Sequence, residues 1–119
     1  KATGRNLYTN DEVVNSMPQG EDEEVEICFF NLGRSILDND LEKEYADRGL
    51  IPIDPYSLAA LNEADPAFAD EKPNCTHWRD LNGKWCYAAF NRWHGERRLL
   101  VYRLGSDWLG SWWFAGRRK

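Results

Sequence analysis

Two histidines, His77 and His94, and three cysteines are the side chains of this sequence best suited to catalysis or metal binding. A thiol nucleophile needs a neighbouring base, so Cys75 or Cys86 beside one of the histidines would be the candidate pair. No HExxH, GxSxG, Walker or dinucleotide-binding glycine pattern supports such a role. The odd cysteine count without CxxC spacing favours small buried hydrophobes, or one disulfide with a spare thiol, over a disulfide framework or zinc site. We therefore expect no enzyme activity, no bound metal and no cofactor.

Charge is divided unevenly along the 119 residues, whose net charge is −5. Residues 1–74 carry 6 basic and 17 acidic side chains (net −11), whereas residues 75–119 carry 9 basic and 3 acidic ones (net +6) and all six tryptophans. A basic, aromatic half is typical of nucleic-acid binding. The side chains that would contact phosphate are Arg92, Arg97, Arg98 and Arg103. Because the whole chain is acidic, which weakens attraction to phosphate, a nucleic-acid-binding or phage-type inhibitor protein is the alternative prediction.

The elements that position these residues follow from hydrophobic periodicity. Apolar residues alternate over 25–29, which predicts a strand. The segment "DNDLEKEYADRGL" (38–50) predicts a helix that begins at its acidic caps and ends at a glycine. The segment "IDPYSLAALNEADPAF" (53–68) predicts a second helix, capped by Asp54, with Pro55 in its first turn and a stop or kink at the second proline. No run of 18 apolar residues occurs, so no membrane span is expected.

After residue 74 the hydrophobic period becomes two, which predicts an antiparallel meander. Turn signals lie at 82–83 (Asn-Gly) and 94–95 (His-Gly), and "SWWFAG" predicts the last strand. One face of the first long strand carries Trp85, Tyr87, Ala89, Asn91 and Trp93, and the other carries Cys86, Ala88, Phe90 and Arg92. In the next strand, Leu99, Val101 and Arg103 alternate with Arg98, Leu100 and Tyr102. Strand, helices and meander together predict an α+β fold in one domain.

The residues of the last strands and their connection that are not assigned to the core are a mixture of Tyr, Leu, Arg and Ser. We assign Trp85, Trp108 and Trp112 to the core, since a buried indole needs only one hydrogen-bond partner. Leu104 and Leu109 lie in or beside a Gly/Ser loop, where we expect their side chains to be exposed. Such a mixture is more typical of a recognition surface than of a catalytic one. The competing interpretation is an ordinary strand face covered by the helices.

Three segments of the sequence resemble one known family. "NGKWCYAAFNRW", "ERRLLVYR" and "DWLGSWWFAGRRK" are similar to the C-terminal variable region of proteins diversified by diversity-generating retroelements, which use a C-type lectin fold. "ADRGLIPIDPYSLAALNEADPAF" resembles the second-helix region of the same family. The resemblance covers residues 40–119 and is strongest over 82–119. It implies a single C-type lectin-like domain over 1–119, with two helices packed on a twisted antiparallel sheet and 82–119 as the variable region.

The resemblance also implies which positions bind ligand. In this family an error-prone reverse transcriptase randomises template adenines, so that Asn codons come to encode almost any residue on a fixed scaffold. The implied variable, ligand-binding positions are Cys86, Ala89, His94, Gly95, Arg98, Leu100, Tyr102, Leu104, Ser106, Leu109 and Ser111, with Gly105 and Gly110 as further candidates. The implied invariant frame is Trp78, Trp85, Phe90, Trp93, Val101, Trp108, Trp112, Trp113, Phe114 and Gly116.

The function implied by the resemblance is ligand binding of the receptor or adhesion type. The implied partner is a protein or another cell-surface ligand, and the implied location is a virion or a cell surface. The chain departs from calcium-dependent lectins, because its C-terminal part has only Asp80, Glu96 and Asp107 as acids and no EPN-like triplet. Nor do Cys75 and Cys86 reproduce the catalytic cysteine pair of the enzymes that share this fold. We therefore expect neither calcium-dependent sugar binding nor catalysis.

Overall fold

The chain folds into helices and one mixed β-sheet, the α+β class expected from the sequence. The computed structural model describes residues 6–9, 13, 17–18, 26–93, 95–103 and 107–119. The elements, in chain order, are β1 (Asn6–Thr9), β2 (Cys28–Asn31), α1 (Asp38–Asp47), β3 (Leu50–Pro52), α2 (Pro55–Ala64), α3 (Phe68–Glu71), β4 (Asn74–Arg79), β5 (Trp85–Trp93), β6 (Glu96–Arg103) and β7 (Trp113–Arg118). Among the described residues, no helix is long and apolar enough to span a membrane.

The second long helix has the predicted cap, but the acidic cap predicted for the first is wrong, because α1 begins at Asp38 after Leu37, whose side chain makes no capping hydrogen bond. In α2 the Asp54 carboxylate accepts a hydrogen bond from the Ser57 backbone N–H (2.9 Å), and Pro55 occupies the first turn. This satisfies an N–H that has no partner within the helix. The predicted second helix is too long, however, because α2 ends at Ala64 and α3 is a separate turn of helix. A proline disfavours helical backbone angles in the residue before it, and Asp65 precedes a proline. Its φ of −132° and ψ of 79° are accordingly not helical, so the helix ends here.

The sheet has the strand order β1-β6-β5-β4-β7-β2, with β3 also paired to β7. β5 and β6 form an antiparallel hairpin whose turn contains Gly95 at a φ of 80°. The turn between β4 and β5 similarly places Gly83 at a φ of 76°. Across the hairpin, the register sets Tyr87 opposite Tyr102, Ala89 opposite Leu100 and Asn91 opposite Arg98. These six residues share one face of the sheet, as the alternation predicted.

The prediction of a wholly antiparallel sheet is wrong, because two of its ladders are parallel. β1 pairs with β6 in parallel, and β4 pairs with β7 in parallel. The β4–β5 and β5–β6 hairpins make β4 and β6 run the same way. β7 is parallel to β4 and therefore also runs in the direction of β6. The connection from the end of β6 to the start of β7 must then cross from one end of the sheet to the other. Its described part, residues 107–112, carries the bulky side chains that cover one sheet face.

The two long helices pack on opposite faces of the sheet. On the first face, Leu41 and Tyr45 of α1 join Phe114 and Trp108 in a buried cluster. On the second face, Leu58 of α2 and Ala69 of α3 join Ile53, Phe90 and Ala115 in another buried cluster. A third buried cluster, also on the second face, contains Val13, Trp78, Cys86, Ala88 and Val101. Each face of β5 is therefore backed by a different part of the core.

Candidate ligand-binding face

Trp108 is the structural centre of the connection from β6 to β7. Its side chain is only 3% exposed, and its backbone exchanges two hydrogen bonds with Ile36 (2.8 and 3.0 Å). The indole ring makes edge-to-face contacts with Tyr87 (ring centroids 5.3 Å apart), Trp112 (5.4 Å) and Phe114 (5.8 Å). The core assignment of Trp108 is therefore confirmed, whereas Trp85 and Trp112 are only half-buried. Aromatic contacts and a short strand pairing together fix the connection over the sheet.

A buried carboxylate ties this connection to α1. Asp38, the first residue of α1, accepts a hydrogen bond from the Trp108 Nε1–H at 2.9 Å on Oδ1. The same oxygen lies 2.7 Å from His77 Nδ1 on β4. Buried carboxylates are rarely found without such partners. Nothing in the sequence indicates this cluster, because its three members are distant in sequence and belong to no motif.

The last turn of the connection is held by a side-chain amide of β2. Asn31 Nδ2 donates to the carbonyl oxygens of Gly110 (2.9 Å) and Trp112 (2.8 Å). The Gly110 Cα faces the backbone of residues 33–34 so closely that a Cβ would lie 2.9 Å from Arg34 N. Gly110 was a further candidate for the variable set, but the backbone beside it leaves no room for the Cβ of another residue.

We predict that Gly110→Ala lowers the free energy of unfolding by about 1–3 kcal/mol, the usual range for overpacking. The added Cβ meets backbone atoms, 2.9 Å from Arg34 N and 3.0 Å from Gly33 C, so no side-chain rotation relieves the clash. Ser111→Ala is the matched control, since Ser111 is the next residue and is exposed. Urea denaturation of both variants measures the effect, and equal stability of the two would contradict the role of Gly110.

Beside Trp108 lies an open pocket of about 310 Å³. Its lining residues are Tyr87, Ala89, Arg98, Leu100, Asp107, Trp108, Leu109 and Trp112. Arg98 Nε donates a hydrogen bond to Asn91 Oδ1 at 3.2 Å, which orients the guanidinium along the sheet face. Burial raises the pKa of Tyr87, the neighbouring Tyr102 raises it further, and Arg98 opposes the shift. The pocket therefore combines aromatic walls with one cationic and one anionic side chain at its edge.

Three of the predicted ligand-binding residues, Arg98, Leu100 and Leu109, line this pocket, and two more are their neighbours in the strand or in the connection. Arg98, Leu100 and Tyr102 project from one face of β6, while Leu109 and Ser111 lie on the connection that crosses this face. Leu109 is 62% exposed, in agreement with the predicted exposure of its loop. We call these five residues the contact set.

The other predicted positions that the structure describes are either buried or remote from the contact set. Gly95 is exposed at the distant hairpin turn between β5 and β6. Ala89 is buried and forms part of the pocket floor. Cys86 is fully buried on the opposite sheet face, since it belongs to the cluster of Trp78 and Val101. The predicted positions His94, Leu104 and Ser106, together with Gly105, lie outside the described residues.

The arginines proposed for phosphate contact are engaged with acidic or amide partners. Asp70 binds both Arg92 (3.3 Å) and Arg97 (3.0 Å), and Asp80 binds Arg103 (3.1 Å). The hydrogen bond from Arg97 is the main cause that lowers the pKa of Asp70. The pKa of Asp80 is lowered chiefly by the Lys84 backbone N–H, with a smaller contribution from Arg103. Asp70 and Asp80 thus neutralise part of the positive charge that these arginines carry.

All three cysteines are free thiols. Cys75 is buried, its Sγ contacts the Trp113 carbonyl oxygen at 3.7 Å, and burial raises the pKa of its thiol well above the ordinary value. A raised pKa keeps the thiol protonated and poorly nucleophilic. In the part of the chain that the structure describes, no group of three or more His, Cys, Asp or Glu side chains is arranged to hold a metal ion.

No family model, curated protein or solved structure matched the chain in comparisons with known proteins.

Proposed function

We propose that this chain is a ligand-binding protein of the retroelement-diversified type, with a C-type lectin-like fold. The observation that carries the proposal is the alternation of fixed and unconstrained residues along the connection. Leu109 is 62% exposed, yet it lies between Trp108, which is 3% exposed, and Gly110, which has no room for a Cβ. Ser111 is exposed and is followed by Trp112, whose ring packs against Trp108. Such a pattern is what a fixed frame with exchangeable side chains requires.

Features of the fold also support the family assignment. Two helices pack on the sheet, as the resemblance implied, although the sheet is mixed and not antiparallel, and the last strand, β7, pairs with β2 from the N-terminal part. The variable region of the resemblance, residues 82–119, supplies both strands of the β5–β6 hairpin and the connection that covers it. The contact set therefore comes entirely from this region.

The contact set has the chemistry of a protein-recognition surface. It combines one arginine, one tyrosine, two leucines and one serine, and three of these residues, Arg98, Leu100 and Leu109, line the pocket floored by Ala89. A volume of about 310 Å³ is enough to receive one side chain of a partner protein. Tyrosine and arginine are enriched among the residues that dominate binding energy at protein interfaces. We infer that a protein or other cell-surface ligand inserts a side chain here, at the surface of a virion or cell.

We predict that Tyr102→Ser lowers the free energy of unfolding by no more than about 1 kcal/mol, because Tyr102 lies at the sheet surface and its cross-strand pair with Tyr87 is worth about 0.2–1 kcal/mol. The matched control is Val101→Ala, one residue away on the buried face of β6, which we expect to cost about 2 kcal/mol. Thermal and urea denaturation of both variants check the prediction. A larger loss at Tyr102 than at Val101 would place Tyr102 in the core.

A display library tests the proposed function directly. The contact set (Arg98, Leu100, Tyr102, Leu109 and Ser111) is randomised, and the displayed proteins are scored for protease resistance and then selected on immobilised lysozyme. We expect most members to stay folded and some to bind lysozyme, since the varied side chains leave the frame intact.

A control library separates this result from general tolerance of the fold. It randomises Ala88, Phe90 and Val101, which lie on the buried face of the same two strands. We expect most of its members to lose protease resistance. Equal loss of folding in both libraries would contradict the proposed division between frame and contact set.

A further inference from the structure

Leu37 lies beside the contact set, although it belongs to the N-terminal part of the chain. Ile36 and Trp108 pair as an antiparallel bridge, and both of their side chains are buried. Because side chains alternate along extended backbone, Leu37 and Leu109 project on the side away from this core. Leu37 is 57% exposed and Leu109 is 62% exposed. The antiparallel register makes them diagonal neighbours, which typically lie about 7–8 Å apart across a ladder.

Leu37 also occupies a position where folding favours a different side chain. It is the N-cap residue of α1, with a φ of −87° and a ψ of 155°, and it makes no side-chain capping hydrogen bond. Ser, Thr, Asp or Asn at this position would accept a hydrogen bond from a free backbone N–H of the first turn. The hydrophobic-staple positions belong to Ile36 and Leu41, which share one buried cluster. An exposed leucine at the cap is therefore a cost to folding that a contact outside the chain would explain.

The contact set alone is too small for a stable protein interface. Such interfaces bury roughly 800 Å² on each partner and involve about 20–30 residues a side. Fixed residues around the five-residue contact set must therefore lie under a bound protein as well. Among the described residues, the exposed large apolar side chains are Leu37, Tyr56, Leu81 and Leu109. Since Leu109 also lines the pocket, the apolar surface continues from the pocket to Leu37.

We propose that Leu37 is a constant apolar contact of the binding face, and that a protein ligand covers Leu37 and Leu109 together with an apolar part of its own surface. This rests on the proposed function, since the ligand is the one that the contact set binds. It also extends that function, because Leu37 lies outside residues 82–119 and is not diversified. Burial of Leu37 supplies affinity that every variant shares, and the diversified side chains then discriminate among ligands.

The test uses lysozyme-binding clones selected from the contact-set library, into which Leu37→Ser is introduced. We expect the affinity for lysozyme, measured by biolayer interferometry, to fall about tenfold in most clones, because the exposed part of the leucine no longer contributes apolar surface. We expect the Tm to stay equal or rise, since serine can cap α1 at the existing backbone angles. A role in folding alone would lower the Tm and leave the affinity unchanged, and that result would overturn the proposal.

Two further variants of the same clones serve as controls. Leu37→Met keeps an apolar side chain of similar volume and should retain affinity within about threefold. Tyr56→Ser removes an exposed apolar side chain from α2, on the opposite face of the sheet, and should change affinity less than about twofold.

The outcomes separate this proposal from the proposed function. Equal affinity of the Leu37→Ser and Tyr56→Ser variants would overturn the constant contact and leave the proposed function intact. Equal losses from Leu37→Ser and Leu37→Met would overturn the apolar character of the contact. A library that yields no lysozyme binder would contradict the proposed function, and the constant contact with it.

Discussion

Trp108→Ala is expected to lower the free energy of unfolding by about 3–5 kcal/mol, the usual cost of truncating a buried tryptophan. The indole is 3% exposed, and its removal deletes edge-to-face contacts with Tyr87, Trp112 and Phe114. It also removes one of the donors to the buried Asp38 carboxylate. The connection from β6 to β7 would lose its anchor, so guanidinium denaturation should show a lower midpoint.

Trp112→Ala provides the comparison for this prediction. From the sequence alone the two tryptophans are equivalent, and the same 3–5 kcal/mol loss would be expected of both. In the structure Trp112 is half-buried and lines the open pocket, so we expect a loss of only about 1–3 kcal/mol. A larger loss at Trp112 than at Trp108 would contradict the assignment of Trp108 as the anchor.

Asp38→Ala is expected to have the second largest effect, a loss of about 3–5 kcal/mol, the range for breaking a buried charged partnership. The substitution leaves the Trp108 Nε1–H and the His77 Nδ1–H buried without an acceptor. Such stranded donors keep their full desolvation cost. Urea denaturation monitored by circular dichroism measures the loss.

Asp40→Ala is the matched control for Asp38→Ala. Both carboxylates lie in the first turn of α1, so each interacts favourably with the helix dipole. Asp40 is exposed, and its contact with Lys43 at 3.8 Å is a surface pair, for which we expect a change within about 0.5 kcal/mol. Equal losses from both substitutions would mean that the helix dipole, and not the buried hydrogen bonds, accounts for the effect of Asp38.

Local features of the fold could be predicted from the sequence because they depend on neighbouring residues. The Asp54 cap, the Pro55 start of α2 and the glycine turn at Gly83 all follow from the conformational preferences of a few adjacent residues. The alternation of β5 and β6 likewise gave the correct faces, because side-chain direction in a strand has a fixed period.

Features that depend on distant parts of the chain could not be predicted. Nothing in the hydrophobic pattern shows that β1 pairs in parallel with β6 or that β4 pairs in parallel with β7. The cysteine pattern favoured a buried Cys86, and this is confirmed, but its assignment to a ligand-binding position is wrong, because the pattern leaves open how each face of β5 is covered. The Asp38–His77–Trp108 cluster joins three elements that are remote in sequence.

The candidate site was predictable to a similar extent. The exposure of Leu109 followed from its Gly/Ser-rich surroundings, and the burial of Trp108 followed from the size of its side chain. The fixed role of Gly110 did not follow, because it depends on the backbone of residues 33–34, which the fold brings against it. A glycine in a loop can serve the turn itself or a close approach, and only the fold distinguishes the two.

Sequencing the DNA around the gene tests the central claim most directly. We predict a nearby reverse transcriptase gene and a template repeat almost identical to the segment that encodes residues 82–119. The mismatches should fall at template adenines and in codons of the contact set (Arg98, Leu100, Tyr102, Leu109 and Ser111), while the codons of Trp108, Gly110 and Trp112 stay unchanged. Absence of a template repeat, or mismatches concentrated in the codons of Trp108, Gly110 and Trp112, would contradict the proposal that a fixed aromatic frame presents diversified side chains.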